Sequence, residues 1–107
     1  MTDISPSAEP TRAEVDSLAG ATMLEFGASW CGHCQAAQAT ITSAMQQFPQ
    51  VRHIKIEDGK GRLLGRSFQV KLWPTLIFLK NGVELKRLVR QIQTQELSDC
   101  LQAITAP

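Results

Sequence analysis

An apolar, strand-like run that passes directly into a helical pattern constrains this chain more than any other feature. Met23-Leu24-Glu25-Phe26 is short and apolar with one acid inside it, and reads as a buried strand. From Cys34 onward Ala37, Ile41, Ala44, Met45 and Phe48 trace one face of a helix, which Pro49 ends. Two of the three cysteines, in Trp30-Cys31-Gly32-His33-Cys34, lie at the junction. A strand feeding a helix in this way builds layered domains in which helices cover a sheet.

The remaining pattern extends that plan. Thr11-Arg12-Ala13-Glu14 has the spacing of a capping box, so a short helix is expected to about Leu18, stopping near Gly20. Val51 to Ile56 alternates, with Ile54 and Ile56 on one side and His53 and Lys55 on the other, as in a strand. A glycine-rich basic stretch, Gly59 to Gly65, leads into a short helix around Leu63 to Phe68. Thr75 to Leu79 is a second strongly apolar strand, and Asn81-Gly82 suits a tight turn with positive φ angles. The returning strand runs from Val83 to Val89. Thr94 is placed to cap a last helix, with Leu97, Cys100, Leu101 and Ile104 as its apolar stripe. The order predicts an α/β fold: a central mixed sheet, with a parallel pair and an antiparallel hairpin, flanked by helices on both faces.

With 107 residues, 43% of them hydrophobic, the chain fits one domain and buries enough surface to fold without staples or a structural metal. Residues 1–10, with Pro6 and Pro10, are expected to form a flexible arm with room for a short edge strand, ahead of a domain over 11–107. Eleven basic and ten acidic residues give a net charge of +1 without a clustered positive face, which argues against nucleic acid as a partner. No apolar run approaches a membrane span, and Met1 to Pro6 has neither the basic start nor the apolar core of a signal peptide. The expectation is a cytoplasmic monomer with no membrane partner.

Three cysteines are too few, and odd in number, for a disulfide scaffold. A cysteine at the start of a helix faces unpaired N–H groups and the positive end of the helix dipole, which favour the thiolate that attacks in disulfide exchange. Cys34, one turn on, is close enough to resolve a mixed disulfide formed by Cys31. Gly32 leaves the first sulfur uncovered, and His33 adds a group able to hold positive charge. Zinc needs four ligands, and only Cys100, His53 and His33 remain to complete a set. Haem attachment fails because Gln35, not histidine, follows Cys34. No metal and no cofactor are therefore expected.

Glu25 to Cys34, Glu-Phe-Gly-Ala-Ser-Trp-Cys-Gly-His-Cys, resembles the active-site segment of the thioredoxin family, in the Cys-Gly-His-Cys version typical of protein disulfide isomerase domains. Trp73-Pro74-Thr75, an apolar strand and Lys80-Asn81-Gly82 resemble the family's second signature. The resemblance covers nearly the whole chain after the arm. It implies a thioredoxin fold and a protein-disulfide oxidoreductase, a reductase before an isomerase, with protein substrates and an electron-donating reductase as partners. It makes Cys31 the nucleophile, Cys34 the resolving thiol and Pro74 a cis-proline, with the backbone of Trp73 pairing with an extended substrate. Glu25 then accepts the proton that Cys34 loses, and Lys55 lies near that acid. A structural Glu25–Lys55 ion pair is the alternative for those two. Trp30 shapes access beside the pair, and His33 makes the couple more oxidising than proline would. A different reading of the whole is a binding module that uses the cis-proline groove with little redox turnover.

Three positions depart from the family pattern. Ala39 stands where many relatives kink the long helix with proline, Arg90 where a glycine flanks the substrate groove, and Trp73 where an aliphatic residue is usual. The last two, with Thr75, touch the docking surface and bear on which partners fit. The Gly59–Gly65 loop lacks the endings of nucleotide-binding loops and reads as a basic connection. Cys100 reads as a buried core thiol.

Overall fold

A computed structural model describes residues 2–4 and 9–107. The elements in chain order are β1 (Thr2–Ile4), α1 (Arg12–Asp16), β2 (Ala21–Gly27), α2 (Gly32–Gln47) and β3 (Arg52–Glu57). Then come α3 (Leu63–Ser67), β4 (Thr75–Lys80), β5 (Val83–Val89) and α4 (Thr94–Thr105). The strands make one five-stranded sheet in the order β1-β3-β2-β4-β5. β3 runs parallel to β1 and β2, while β4 runs antiparallel to β2 and β5. The expected mixed, helix-covered sheet is what forms. The arm expected over residues 1–10 falls partly on residues 1 and 5–8, which lie outside the described residues.

Strand alternation sorts the core into two layers. Met23, Leu76 and Phe78 face Ala37, Ile41 and Ala44 of α2 and Leu97, Cys100, Leu101 and Ile104 of α4. Leu24, Phe26, Ile56, Ile77 and Leu79 face the other way, onto Val15 of α1 and Leu64 and Phe68 at α3. Each fully buried Leu, Ile or Phe contributes about 1.5–3 kcal/mol of hydrophobic stabilisation. Glu25, next to Leu24, points into the α2 layer, so the one acid in the apolar run is held beneath the helix that carries the cysteines.

The helix boundaries follow local chemistry in some places and tertiary context in others. The capping box of α1 is present: Thr11 Oγ1 accepts from Glu14 N at 3.1 Å, and Glu14 Oε1 accepts from Thr11 N at 2.8 Å. The helix is shorter than its pattern predicts, ending at Asp16 with Ser17 as cap. Thr94 is not a cap. It is the first helical residue of α4, and Gln93 at the cap position makes no side-chain bond to the helix. The alternation of β5 is interrupted, since Phe78 pairs with Lys86 and Leu79 with Glu84, leaving Leu85 as a bulge on an edge strand.

Candidate functional site

α2 starts where β2 stops, and that abrupt change of direction places Cys31 at the N-cap. Its Sγ accepts a hydrogen bond from Cys34 N at 3.2 Å, so the first helical turn offers an N–H to the leading sulfur. Both residues are free thiols, each 7% exposed. The loop before them is tied down by Ser29 N donating to Glu57 and by Gln35 Nε2 donating to Ser29 O at 3.0 Å.

Around the pair, the Trp73–Pro74 peptide bond is cis, and Trp73 packs against the small cluster of Ala28, Cys31 and Cys34. The Trp73 indole donates to Asp58 Oδ2 at 2.9 Å and meets Trp30 edge-on, with ring centroids 5.4 Å apart. Trp30 itself is 72% exposed, so it borders the site rather than filling core. Thr75 is buried, and its Oγ1 donates to Leu72 O at 2.6 Å. Arg90 takes a left-handed backbone, φ 69°, which explains why glycine suits this position. Its Nε donates to the Trp73 carbonyl at 3.3 Å, and its N to the Pro74 carbonyl at 2.7 Å.

Glu25 is 2% exposed and fully partnered. His53 Nε2 lies 2.8 Å from its Oε1, and Gln38 Nε2 donates to its Oε2 at 2.7 Å. Among the described residues there is no Glu25–Lys55 ion pair: Lys55 Nζ instead donates to Gln38 Oε1 at 3.3 Å. The physical reason lies in reach, because Gln38 from α2 enters between the two. Burial pushes the Glu25 carboxyl up, but the hydrogen bonds from His53 and Gln38, with the charges of His53 and Lys55, outweigh it. The group is held below its usual range and is a carboxylate at neutral pH.

Cys34 goes the opposite way. Burial first, then the hydrogen bond and charge of Cys31 and the charge of Glu25, push its thiol up to about 12. A cysteine in the unfolded chain ionises near 9.0, so between those values the unfolded state sheds a proton that the native state keeps. This part of the stability is therefore intact below about pH 9 and is lost as pH rises towards 12. Urea unfolding of the wild type against Cys34→Ser across that window should show the wild type losing more stability. Parallel curves would refute it.

Sequence reasoning missed four contributors. Gly27 has no room for a side chain, since a Cβ there would lie 2.8 Å from Cys34 Sγ. Gln38 bridges Glu25 to the Cys34 carbonyl, and Asp58 holds the Trp73 indole. His53 was visible as a polar residue on the same side of its strand as Lys55, but nothing local marked it as the partner of Glu25. Gly32 is exposed, and a Cβ at that position would meet nothing within 4 Å, so crowding does not require glycine there. His33 is likewise exposed. Among the described residues no group of three or more Cys, His, Asp or Glu could hold a metal ion, and no helix is long and apolar enough to cross a membrane.

A pair of thiols at a strand-to-helix junction, beside a cis-proline and above a buried carboxylate, defines the class: a thiol–disulfide oxidoreductase. The family model described as thioredoxin matches residues 7–103. The solved structure of reduced thioredoxin 2 from Pseudomonas aeruginosa is 49% identical and superposes with a TM-score of 0.83, covering 97% of this chain and 95% of that one. Thioredoxin of Chlamydia trachomatis is 31% identical over 75 residues, 69% of this chain and 74% of its own. Thioredoxin Asp f 28 of Aspergillus fumigatus is 26% identical over 87 residues, 81% of each chain. The chain belongs to the thioredoxin family. Its members are protein-disulfide oxidoreductases, most often reductases, which act on protein disulfides and are themselves reduced by a reductase.

Proposed function

We propose that this protein reduces protein disulfides, with Cys31 opening each exchange and Cys34 closing it. The observation that carries the reading is the contrast within the pair. Cys31 sits at the helix cap and accepts the Cys34 N–H, whereas the Cys34 thiol is buried and pushed up to about 12. The Cys31 thiolate attacks a substrate disulfide, forming a mixed disulfide and releasing one substrate sulfur as thiolate. Once Cys31 is bonded to substrate its negative charge is gone, and with it the part of the Cys34 rise that this charge causes. Cys34 then gives its proton to the Glu25 carboxylate and attacks Cys31 Sγ. A Cys31–Cys34 disulfide forms, the second substrate sulfur leaves as thiolate, and the substrate gains two electrons that a reductase must later replace.

Trp73, Pro74, Thr75 and Arg90 form the docking edge in this reading, with Trp30 as its outer wall. Because the Arg90 guanidinium already donates to the Trp73 carbonyl, an incoming backbone N–H has to share that oxygen with it or displace it. Lys55 acts on Glu25 at one remove, through Gln38. All these groups come from one chain, which fits a monomer, and we place the protein in the reducing cytoplasm; sedimentation and cell fractionation test those two points.

Glu25→Ala tests the division of labour. Release of the mixed disulfide is expected to slow by about a hundredfold, the lower end of what a positioned proton acceptor contributes, with its formation nearly unchanged. Rapid-mixing kinetics with an aromatic disulfide reagent that releases one coloured thiolate per step reads the two rates separately. Equal slowing of both steps would remove Glu25 from the proton transfer.

A further inference from the structure

Besides the cysteine pair, the described residues hold a buried polar network that joins three elements. Glu25 on β2, Gln38 on α2, and His53 and Lys55 on β3 meet in the layer between sheet and helix. Register explains the meeting. Glu25 stands beside Lys55, and Met23 beside His53, in the parallel β2–β3 pair, so both β3 side chains rise on the Glu25 face. Of these two β3 side chains, His53 contacts the carboxylate directly, at 2.8 Å, opposite the Gln38 amide at 2.7 Å. The His53 side chain is 11% exposed against 2% for Glu25, so the imidazole reaches from the buried carboxylate towards the solvent.

We propose that His53 is a positioning residue that keeps Glu25 ionised and aimed towards the α2 layer, so that attack by Cys34 stays independent of pH around neutrality. The inference rests on Glu25 being the proton acceptor. A carboxylate in this layer is stable only while it is paired, because burial alone favours its protonated form, which is far too weak a base to take the Cys34 proton. Gln38 contributes an uncharged donor and is shared with the Cys34 carbonyl, at 3.3 Å. Lys55 supplies charge from beyond Gln38, and on β1 Asp3 stands in register beside Lys55. The direct donor that is also able to carry charge is His53. Losing it leaves Glu25 with one neutral hydrogen bond and a more distant ammonium, so the carboxyl takes up its proton at higher pH.

The test compares wild type, His53→Leu and His53→Gln, following the two coloured-thiolate steps from about pH 6 to about pH 8. In wild type the second step, attack by Cys34, is expected to stay flat on lowering the pH, after correction for reagent effects. In His53→Leu it should fall about fivefold or more over that interval, the signature of a base that has become protonated. His53→Gln, which keeps a donor but no charge, should lie between them. Carbon-13 chemical shifts of labelled glutamate should show the Glu25 carboxyl titrating at higher pH in His53→Leu. A profile for both variants that parallels wild type, with the Glu25 titration unmoved, would overturn the inference. If His53→Leu does not fold, His53→Gln alone decides by the same criterion. Glu25→Gln separates the two levels. Should that variant resolve as fast as wild type, the proton-acceptor reading fails; should it resolve slowly while the His53 variants behave as wild type, only the role of His53 fails.

Discussion

Replacing Cys34 with serine is expected to stop single-turnover reduction of a protein disulfide and to trap Cys31 in a covalent adduct with its substrate. The loss should be about a thousandfold or more, because a serine hydroxyl without an activating base is a poor nucleophile and forms no disulfide. The trapped species survives electrophoresis without reductant and disappears when dithiothreitol is added. The structure argues for this order of events, not the reverse. Cys31 occupies the helix cap and accepts the Cys34 N–H at 3.2 Å, while the Cys34 thiol is pushed up to about 12, chiefly by burial. Cys31→Ser, by contrast, should give neither turnover nor adduct. A Cys34→Ser protein that turns over within a few-fold of wild type would show that some other group resolves the intermediate.

The second large effect concerns stability and lies at the opposite end of the sheet. Gly82→Ala is expected to destabilise the fold by about 3 kcal/mol, combining left-handed strain of about 1 kcal/mol with overpacking of about 2 kcal/mol. Asn81 and Gly82 both have positive φ, 51° and 80°, in the turn that joins β4 to β5. Asn81 is the anchor of that turn: its N donates to the Gly20 carbonyl at 2.9 Å, and its Oδ1 accepts from Gly20 N at 2.8 Å. That anchoring draws Gly82 against the end of α1, where a Cβ would collide with the backbone of Asp16. Backbone cannot rotate aside as a flexible side chain can. Urea unfolding reads the loss as a lower midpoint with unchanged slope. The folded fraction should still exchange disulfides normally, since β2 leads away from this turn towards Cys31. A shift under about 1 kcal/mol would mean that the turn is free to move away from α1.

Much of the site was legible before any coordinates. Cysteines spaced one helical turn apart, an acid inside an apolar strand, and a Trp-Pro-Thr segment ahead of a second apolar strand are all local patterns. The first two pointed to Cys31, Cys34 and Glu25, and the third, by its resemblance to the thioredoxin family, to Pro74. What they could not supply was the partner of Glu25. Alternation put both His53 and Lys55 on one side of β3, and choosing between them needs the β2–β3 register and the depth to which α2 descends. Gln38 reached in and took the Lys55 ammonium, leaving His53 on the carboxylate. Gly27 and Asp58 escaped notice for a similar reason, since one matters through the Cys34 sulfur and the other through the Trp73 indole. At α4, the residue suited to capping turned out to be the first inside the helix.

Periodicity and turn chemistry act over a few residues, so the sequence by itself determined which segments become strands and helices, where the chain reverses, and which two sulfurs meet. Pairings between segments far apart in the chain depend on how strands register and helices settle. Tertiary structure alone therefore decided that a histidine holds the buried acid, that Arg90 covers the Trp73 carbonyl, and that Gly82 rests on the backbone of α1.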